Sequence, residues 1–212
     1  MKNILLISDG IPGHFNQSKG VASILSKTHP SNIHLTELSF KIHQLRGLIT
    51  VFSRILMRLP NKLTANLVSF MYSSIETNGI DLIIAAGGKT APYSAAIKVL
   101  NNIPVIQLGS PRGLHSSLFN ALVTVERYYE DSSNIIASIT PNLYSPEICL
   151  KAATEKNLSE HLLFLIGGEG IGYAYKDQEW TSLVASIRNL YSKTSLPITI
   201  VTSRRSDPKV EN

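Results

Sequence analysis

The sequence predicts an α/β fold built on a mostly parallel sheet. Three observations predict it. Apolar runs of strand length alternate with helix-length segments along the 212 residues, the order expected of βαβ units. Two runs, Asp81-Leu82-Ile83-Ile84-Ala85-Ala86 and Leu162-Leu163-Phe164-Leu165-Ile166, are nearly all apolar, as strands covered on both faces should be. Several runs end in glycine-rich turns that open helices, where ligands collect in open parallel sheets.

The elements follow in order. Asn3-Ile4-Leu5-Leu6-Ile7-Ser8 reads as the first strand, Asp9 to Gly13 as a tight loop, and 16–28 as the first amphipathic helix. Further strands are expected at 32–38, 81–86, 103–108, 120–125, 134–139, 161–166 and 197–202. Further helices are expected at about 41–59, 63–78, 90–101, 145–157 and 177–193. Thr90 stands where an N-cap belongs, with Pro92 in the first turn. The strand–glycine loop–helix pattern of the first residues returns at 161–193, around Gly167 to Gly172.

A domain boundary is expected between 141 and 160, where Pro141, Pro146 and the polar Glu155-Lys156-Asn157 lie. It divides the chain into a Rossmann-like N-terminal domain, 1–156, and a second Rossmann-like unit, 157–212. That second unit holds two strands before Val210-Glu211-Asn212, too little to be stable alone. It either completes the first sheet or begins a domain that has been cut off.

Composition bounds the function. Hydrophobic residues make up 43% of the chain and charged residues 17%, which excludes a disordered polymer. The single cysteine, Cys149, cannot form an internal disulfide, so a reducing compartment is expected. Its sequence context reads as a small buried apolar residue rather than a nucleophile. The N-terminus lacks the pattern of a secretory signal, and no apolar run is long enough to span a bilayer; a cytoplasmic location is expected. The net charge of +5 fits an anionic ligand, an anionic membrane surface or nucleic acid. Nucleic acid is the weakest of these, because the basic residues lack interleaved aromatics and no known binding module occurs.

Four turns carry candidate chemistry. In the first, Gly10 and Gly13 permit close backbone approach, and amides at a helix N-terminus favour an anion or a carbonyl oxygen. His14 could act as a base near neutral pH with Asp9 orienting it; the alternative is a surface histidine in an ordinary strand-to-helix turn. The second turn is Gly87-Gly88-Lys89-Thr90. It ends like a P-loop, but the leading glycine that motif requires is absent, which excludes a P-loop NTPase. Lys89 remains available to an anion. The third, Gly109-Ser110-Pro111-Arg112, offers one fixed cation or is a plain surface turn. The fourth, Gly167 to Gly172, fails the dinucleotide fingerprint, because its third glycine would fall on Tyr173. A phosphate-cradling turn stays open there, and Thr202-Ser203-Arg204-Arg205 after the next strand suits a diphosphate.

Segment 41–59 reads two ways. At about 100° per residue, Ile42, Leu45, Leu48, Ile49, Phe52, Ile55, Leu56 and Leu59 fill one arc. His43, Arg46, Thr50, Arg54 and Arg58 fill the other, and no acidic residue occurs between Glu37 and Glu76. The favoured reading packs the apolar arc on the sheet and leaves the basic arc in solvent. The alternative is a basic amphipathic helix lying on an anionic membrane surface.

Five motifs, in order across residues 3–206, carry a family resemblance. They are Asp9-Gly10-x-Pro12-Gly13-His14-x-Asn16-Gln17; Gly87-Gly88-Lys89-Thr90-Ala91-Pro92; Gln107-x-x-x-Pro111-Arg112; Leu165-Ile166-Gly167-Gly168; and Thr202-Ser203-Arg204-Arg205. The chain resembles the mitochondrial fission Elm-type family, GT-B-like proteins described as candidate glycosyltransferases. The resemblance implies two Rossmann-like domains facing a cleft, a nucleotide-sugar donor and a glycan or lipid-linked acceptor. It implies His14 and Asp9 as catalytic residues, and Gly13, Asn16, Gln17, Lys89, Thr90 and Arg112 on the substrate side. Gly167, Gly168, Ser203, Arg204 and Arg205 are implied at the donor. No metal or other cofactor is expected, consistent with the lack of an Asp-x-Asp pair. Two departures stand out. The family's more basic Gly-Arg-Arg-Thr stretch is Gly88-Lys89-Thr90 here, and the later strands of the second domain, with the acidic residue expected at the donor ribose, are missing. A truncated chain without activity of its own is therefore also expected. So is the alternative of a non-catalytic scaffold on a membrane's inner face.

Overall fold

The computed structural model describes residues 1–156, 159–168, 172, 174–203 and 206. Contacts divide the chain into two compact units, Met1–Pro146 and Glu147–Asn212.

The first unit contains six strands: β1 (Lys2–Ser8), β2 (Ser31–Glu37), β3 (Leu82–Ala86), β4 (Val105–Leu108), β5 (Ala121–Thr124) and β6 (Asn134–Ile136). They form one sheet in the order β2-β1-β3-β4-β5-β6, and every pair is parallel. Alternation decides what each face covers. Leu5, Ile7, Ile83, Ala85 and Val105 point into the larger core, which is closed by helices α2 (Arg46–Leu56), α3 (Lys62–Met71) and α4 (Ala91–Asn101). Ile4, Leu6, Ile84, Ala86 and Leu108 point the other way, against Ala22, Phe15 and Leu25 of α1 (Pro12–Thr28). The sheet is thus covered on both sides, which is why its central strands carry almost no polar residue.

Three expected helices change their bounds. The first begins at Pro12, whose fixed φ and missing N–H suit the first helical position. His14 therefore belongs to the first turn of α1 and not to a free loop. The helix expected to reach residue 78 stops at Met71, because Tyr72 turns extended and pairs with Phe40. Its ring, fully buried, sits between Phe40 at 4.8 Å and Tyr93 at 5.0 Å. Segment 41–59 resolves into a short 3-10 turn at His43–Leu45 and α2.

The orientation of α2 is a correction. Thr50, Ser53 and Met57 are buried, so much of the arc with the hydroxyls faces inward. Leu48, Val51, Phe52, Ile55 and Leu59 are exposed, as are Leu63, Leu67 and Phe70 of α3. The apolar arc is split: Ile49 is buried in the core and Leu56 packs against it, while Leu48, Phe52, Ile55 and Leu59 face solvent beside the exposed residues of α3. Inward placement of Thr50 is possible because its hydroxyl donates to the Arg46 carbonyl at 2.7 Å, so it buries no unmet donor.

The second unit contains helix α5 (Pro146–Glu155, beginning at the last residue of the first unit), strands β7 (Leu162–Leu165) and β8 (Ile198–Val201), and helix α6 (Asp177–Thr194). β7 and β8 pair in parallel as a two-stranded sheet of their own and do not extend the first sheet. Cys149 is exposed, against expectation, because α5 buries none of its residues.

Candidate functional site

The strand order reverses between β1 and β3: the chain moves outward to β2 from one and toward β4 from the other. Crevices form outside the carboxyl ends of strands at such a switch point. β1 ends at Ser8 and β3 at Ala86, so Asp9 and Gly87 lie side by side at that edge.

Asp9 and His14 are paired there. His14 Nδ1 lies 3.0 Å from both carboxylate oxygens of Asp9, and Asp9 Oδ1 also accepts from the Ile11 amide at 3.2 Å. The Asp9 side chain is 2% exposed and that of His14 32%. In the tautomer whose Nδ1–H donates to Asp9, the lone pair lies on Nε2. The Nε2 nitrogen has no partner among the described residues. The first intrahelical bond runs from the Phe15 N–H to the Ile11 carbonyl, so the amides of Gly13 and His14 precede it and are free of the helix ladder. Gly13 is exposed, with open space where a Cβ would stand.

Gly87 closes the other side. Its φ is +92°, and a Cβ on it would stand 2.4 Å from His14 Nδ1 and 2.9 Å from Asp9 Oδ2. Only glycine allows both the backbone conformation and the close approach. The Gly87 carbonyl accepts from Gln107 Nε2 at 3.1 Å and from the Thr90 hydroxyl at 2.9 Å. Gln107 and Thr90 are fully buried; they hold the turn and do not reach a ligand. Thr90 is thereby removed from the expected substrate-side residues, since its hydroxyl is spent on Ala86 and Gly87.

Gly88 faces a different chemistry. A Cβ on it would meet Arg112 Nε at 2.8 Å and Arg54 Nη2 at 3.3 Å. Arg54 donates from Nη2 to the Gly88 carbonyl at 2.9 Å. Burial, and next the positive charge of Arg112, hold the Arg54 guanidinium below its usual range. Arg58 reaches the same loops, its Nη2 3.6 Å from where a Gly113 Cβ would stand. Sequence reasoning placed Arg54 and Arg58 on a solvated face. Their spacing of one helical turn in a stretch without acids was the available signal.

The other expected residues are dispersed. Lys89 is half-buried beside Gly88. Gln17 follows His14 by three positions on α1, on the same side of the helix. Asn16, two positions after His14, lies on the opposite side of the helix. In the second unit, β7 and β8 run in register from Leu162↔Ile198 to Leu165↔Val201, so Gly167-Gly168 and Ser203 leave the same end of a parallel pair. The Ser203 amide donates to Ser206 Oγ at 3.0 Å. Arg204 and Arg205 lie outside the described residues. Among the described residues no group of three or more His, Cys, Asp or Glu could hold a metal ion, and no helix is long and apolar enough to cross a membrane.

A family model described as mitochondrial fission ELM1 matches residues 12–212. The chain belongs to the mitochondrial fission ELM1 family. The match includes His14 and the glycine turns but begins after Asp9. No match was found among curated proteins. Among solved structures, this ELM1-family chain is similar to the UDP-GlcNAc 2-epimerase from Methanocaldococcus jannaschii, with a TM-score of 0.51 and 11% identity, over 100% of this chain and 68% of that one. It is similar to S. aureus MnaA solved with UDP (0.48, 12%, over 100% and 64%) and to MurG of Acinetobacter baumannii (0.42, 13%, over 100% and 70%). The chain spans about two thirds of the length of these structures. The first likeness supports a shared GT-B-like, Rossmann-type fold for the ELM1-family chain.

Proposed function

We propose that this ELM1-family chain contributes to a GT-B-type glycosyltransferase that moves a sugar from a nucleotide-sugar donor to a glycan or lipid-linked acceptor. The observation that carries the reading is the His14–Asp9 pair, an imidazole oriented by a buried carboxylate at the β1/β3 switch point. In this reading His14 Nε2 takes the proton of an acceptor hydroxyl. The oxygen attacks the anomeric carbon, and the bond from that carbon to the donor phosphate breaks. The nucleoside diphosphate leaves with the bond's electron pair. Asp9 stabilises the imidazolium that forms, the role of an orienting carboxylate in a base–acid pair. The Gly13 amide and Gln17 stand on the acceptor side. The donor is assigned to Gly167, Gly168, Ser203, Arg204 and Arg205 from the family resemblance alone, and the reading calls for no metal or cofactor.

The test is turnover of UDP-sugars by the chain and by its His14→Ala variant. We expect general-base loss, a factor of about 10²–10⁴, in a variant that keeps a cooperative thermal transition. Unchanged turnover in a folded variant sinks the role of His14.

A second reading concerns location. The exposed apolar face of α2 and α3 carries a groove of about 350 Å³ lined by Leu45, Leu48, Val51, Phe52 and Ile55. Lys41, Arg46 and Lys62, near it in sequence, are exposed, and the Lys41 ammonium lies 4.1 Å from the Phe70 ring centre. An apolar face with basic neighbours in sequence and no acid fits an anionic bilayer. We read this face as a peripheral membrane contact. It serves a lipid-linked acceptor, or by itself a scaffold without catalysis, and it replaces the basic face expected from sequence.

A further inference from the structure

We propose that Arg54 and Arg112, with Arg58 at the edge, form a phosphate site for the acceptor. The inference rests on the transferase reading and deepens it: the acceptor is a phosphate or diphosphate ester.

The argument starts from Gly87-Gly88. One glycine touches the acid–base pair and the next touches the two guanidiniums. Their Cα atoms are about 3.8 Å apart, as in any trans peptide. A ligand resting on this turn with a hydroxyl at His14 Nε2 therefore presents its neighbouring groups to arginine. Two like charges converge on Gly88, and no carboxylate pairs with either one among the described residues. The ion pairs there are Lys2–Asp81, His14–Asp9, Arg127–Glu130 and Lys151–Glu155. Bringing cations together without an acid is unfavourable unless an anion joins them.

The construction is specific. Arg54 is anchored through Nη2 to the Gly88 carbonyl, while its Nε is buried without a hydrogen-bond partner. Arg112 adopts a left-handed φ of +54°, uncommon outside glycine, and its amide donates to Ser110 Oγ at 3.3 Å. That conformation brings its side chain over Gly88. Two guanidinium forks beside a residue without a Cβ suit the several acceptor oxygens of a phosphate.

The experiment is calorimetric titration of the full chain with inorganic pyrophosphate at low salt, and with phosphatidylcholine vesicles carrying phosphatidic acid. We expect saturable binding of at least one probe, weakened about tenfold or more by Arg112→Gln and unchanged by Lys27→Gln, which alters net charge equally. Should Arg112→Gln not fold, Arg54→Lys keeps the charge and removes the fork, with the same expectation. Arginine-dependent binding of pyrophosphate identifies a soluble phosphate source, and binding of the vesicles alone a lipid-borne one. Equal affinity of wild type and variant for both probes overturns the site. Displacement of pyrophosphate by UDP at the same arginine overturns its assignment to the acceptor. His14→Ala should keep pyrophosphate binding while losing turnover, so failure of the phosphate site and failure of the transferase reading are distinguishable.

Discussion

Arg54 of α2 hydrogen-bonds the carbonyl of Gly88 at 2.9 Å, tying a helix that reads as surface to the turn after β3. That bond draws one cation of the basic arc into the edge of the sheet where His14 and Asp9 stand. It also leaves Leu48, Phe52 and Ile55 of α2 facing outward.

Gly87 should not accept a side chain. An alanine there meets His14 Nδ1 at 2.4 Å and must hold a φ of +92°. The backbone strain alone costs about 1–3 kcal/mol. We expect Gly87→Ala to lower the urea midpoint accordingly and to displace the imidazole, visible as changed His14 ring resonances in NMR. Wild-type stability together with wild-type resonances would refute the contact.

Gly20 tests the packing of α1. Glycine inside a helix is ordinarily worse than alanine by about 0.5–1 kcal/mol, so Gly20→Ala should stabilise if nothing else intervenes. Here the new Cβ would stand 2.2 Å from the Asn142 carbonyl oxygen and 2.5 Å from its carbon. Both are backbone atoms, and overpacking of this kind costs about 1–3 kcal/mol. Overpacking is the larger effect, and the variant should unfold at lower urea than wild type.

Tyr72 should limit stability in alkali. Burial pushes its phenol above the ordinary range. The neutral form is favoured in the folded state, so this contribution is fully present below the unfolded value near 10. It is lost as pH rises through the folded value. Tyr72→Phe keeps the ring between Phe40 and Tyr93 and removes the ionisation. Urea midpoints should fall less steeply above about pH 10 in the variant; parallel curves would contradict this.

The outer face of α2 makes the opposite prediction. Leu48 and Phe52 are 70% and 52% exposed, so Leu48→Asp with Phe52→Asp should change stability by only about 0.5 kcal/mol per site. Co-sedimentation with phosphatidylcholine–phosphatidylglycerol vesicles should disappear. A large loss of stability with retained vesicle binding would show that the face is covered in the folded chain.

Each of the eight strands among the described residues was legible because strand pattern is local: Leu82 to Ala86 is apolar throughout, and glycine follows it at once. The pairing of His14 with Asp9 was legible for the same reason, five residues apart across one turn. The chain's local chemistry thus determined the parallel α/β order and the turns that bear His14, Gly87 and Arg112. Tertiary structure alone decided which way α2 faces, that α3 ends where Tyr72 meets Phe40, and that Arg54 joins Arg112 over Gly88. Periodicity states which residues share a face of a helix. Which face turns inward depends on partners distant in sequence: the inward side of α2 mixes Ile49 and Met57 with Thr50 and Ser53, and the Gly88 carbonyl draws in Arg54.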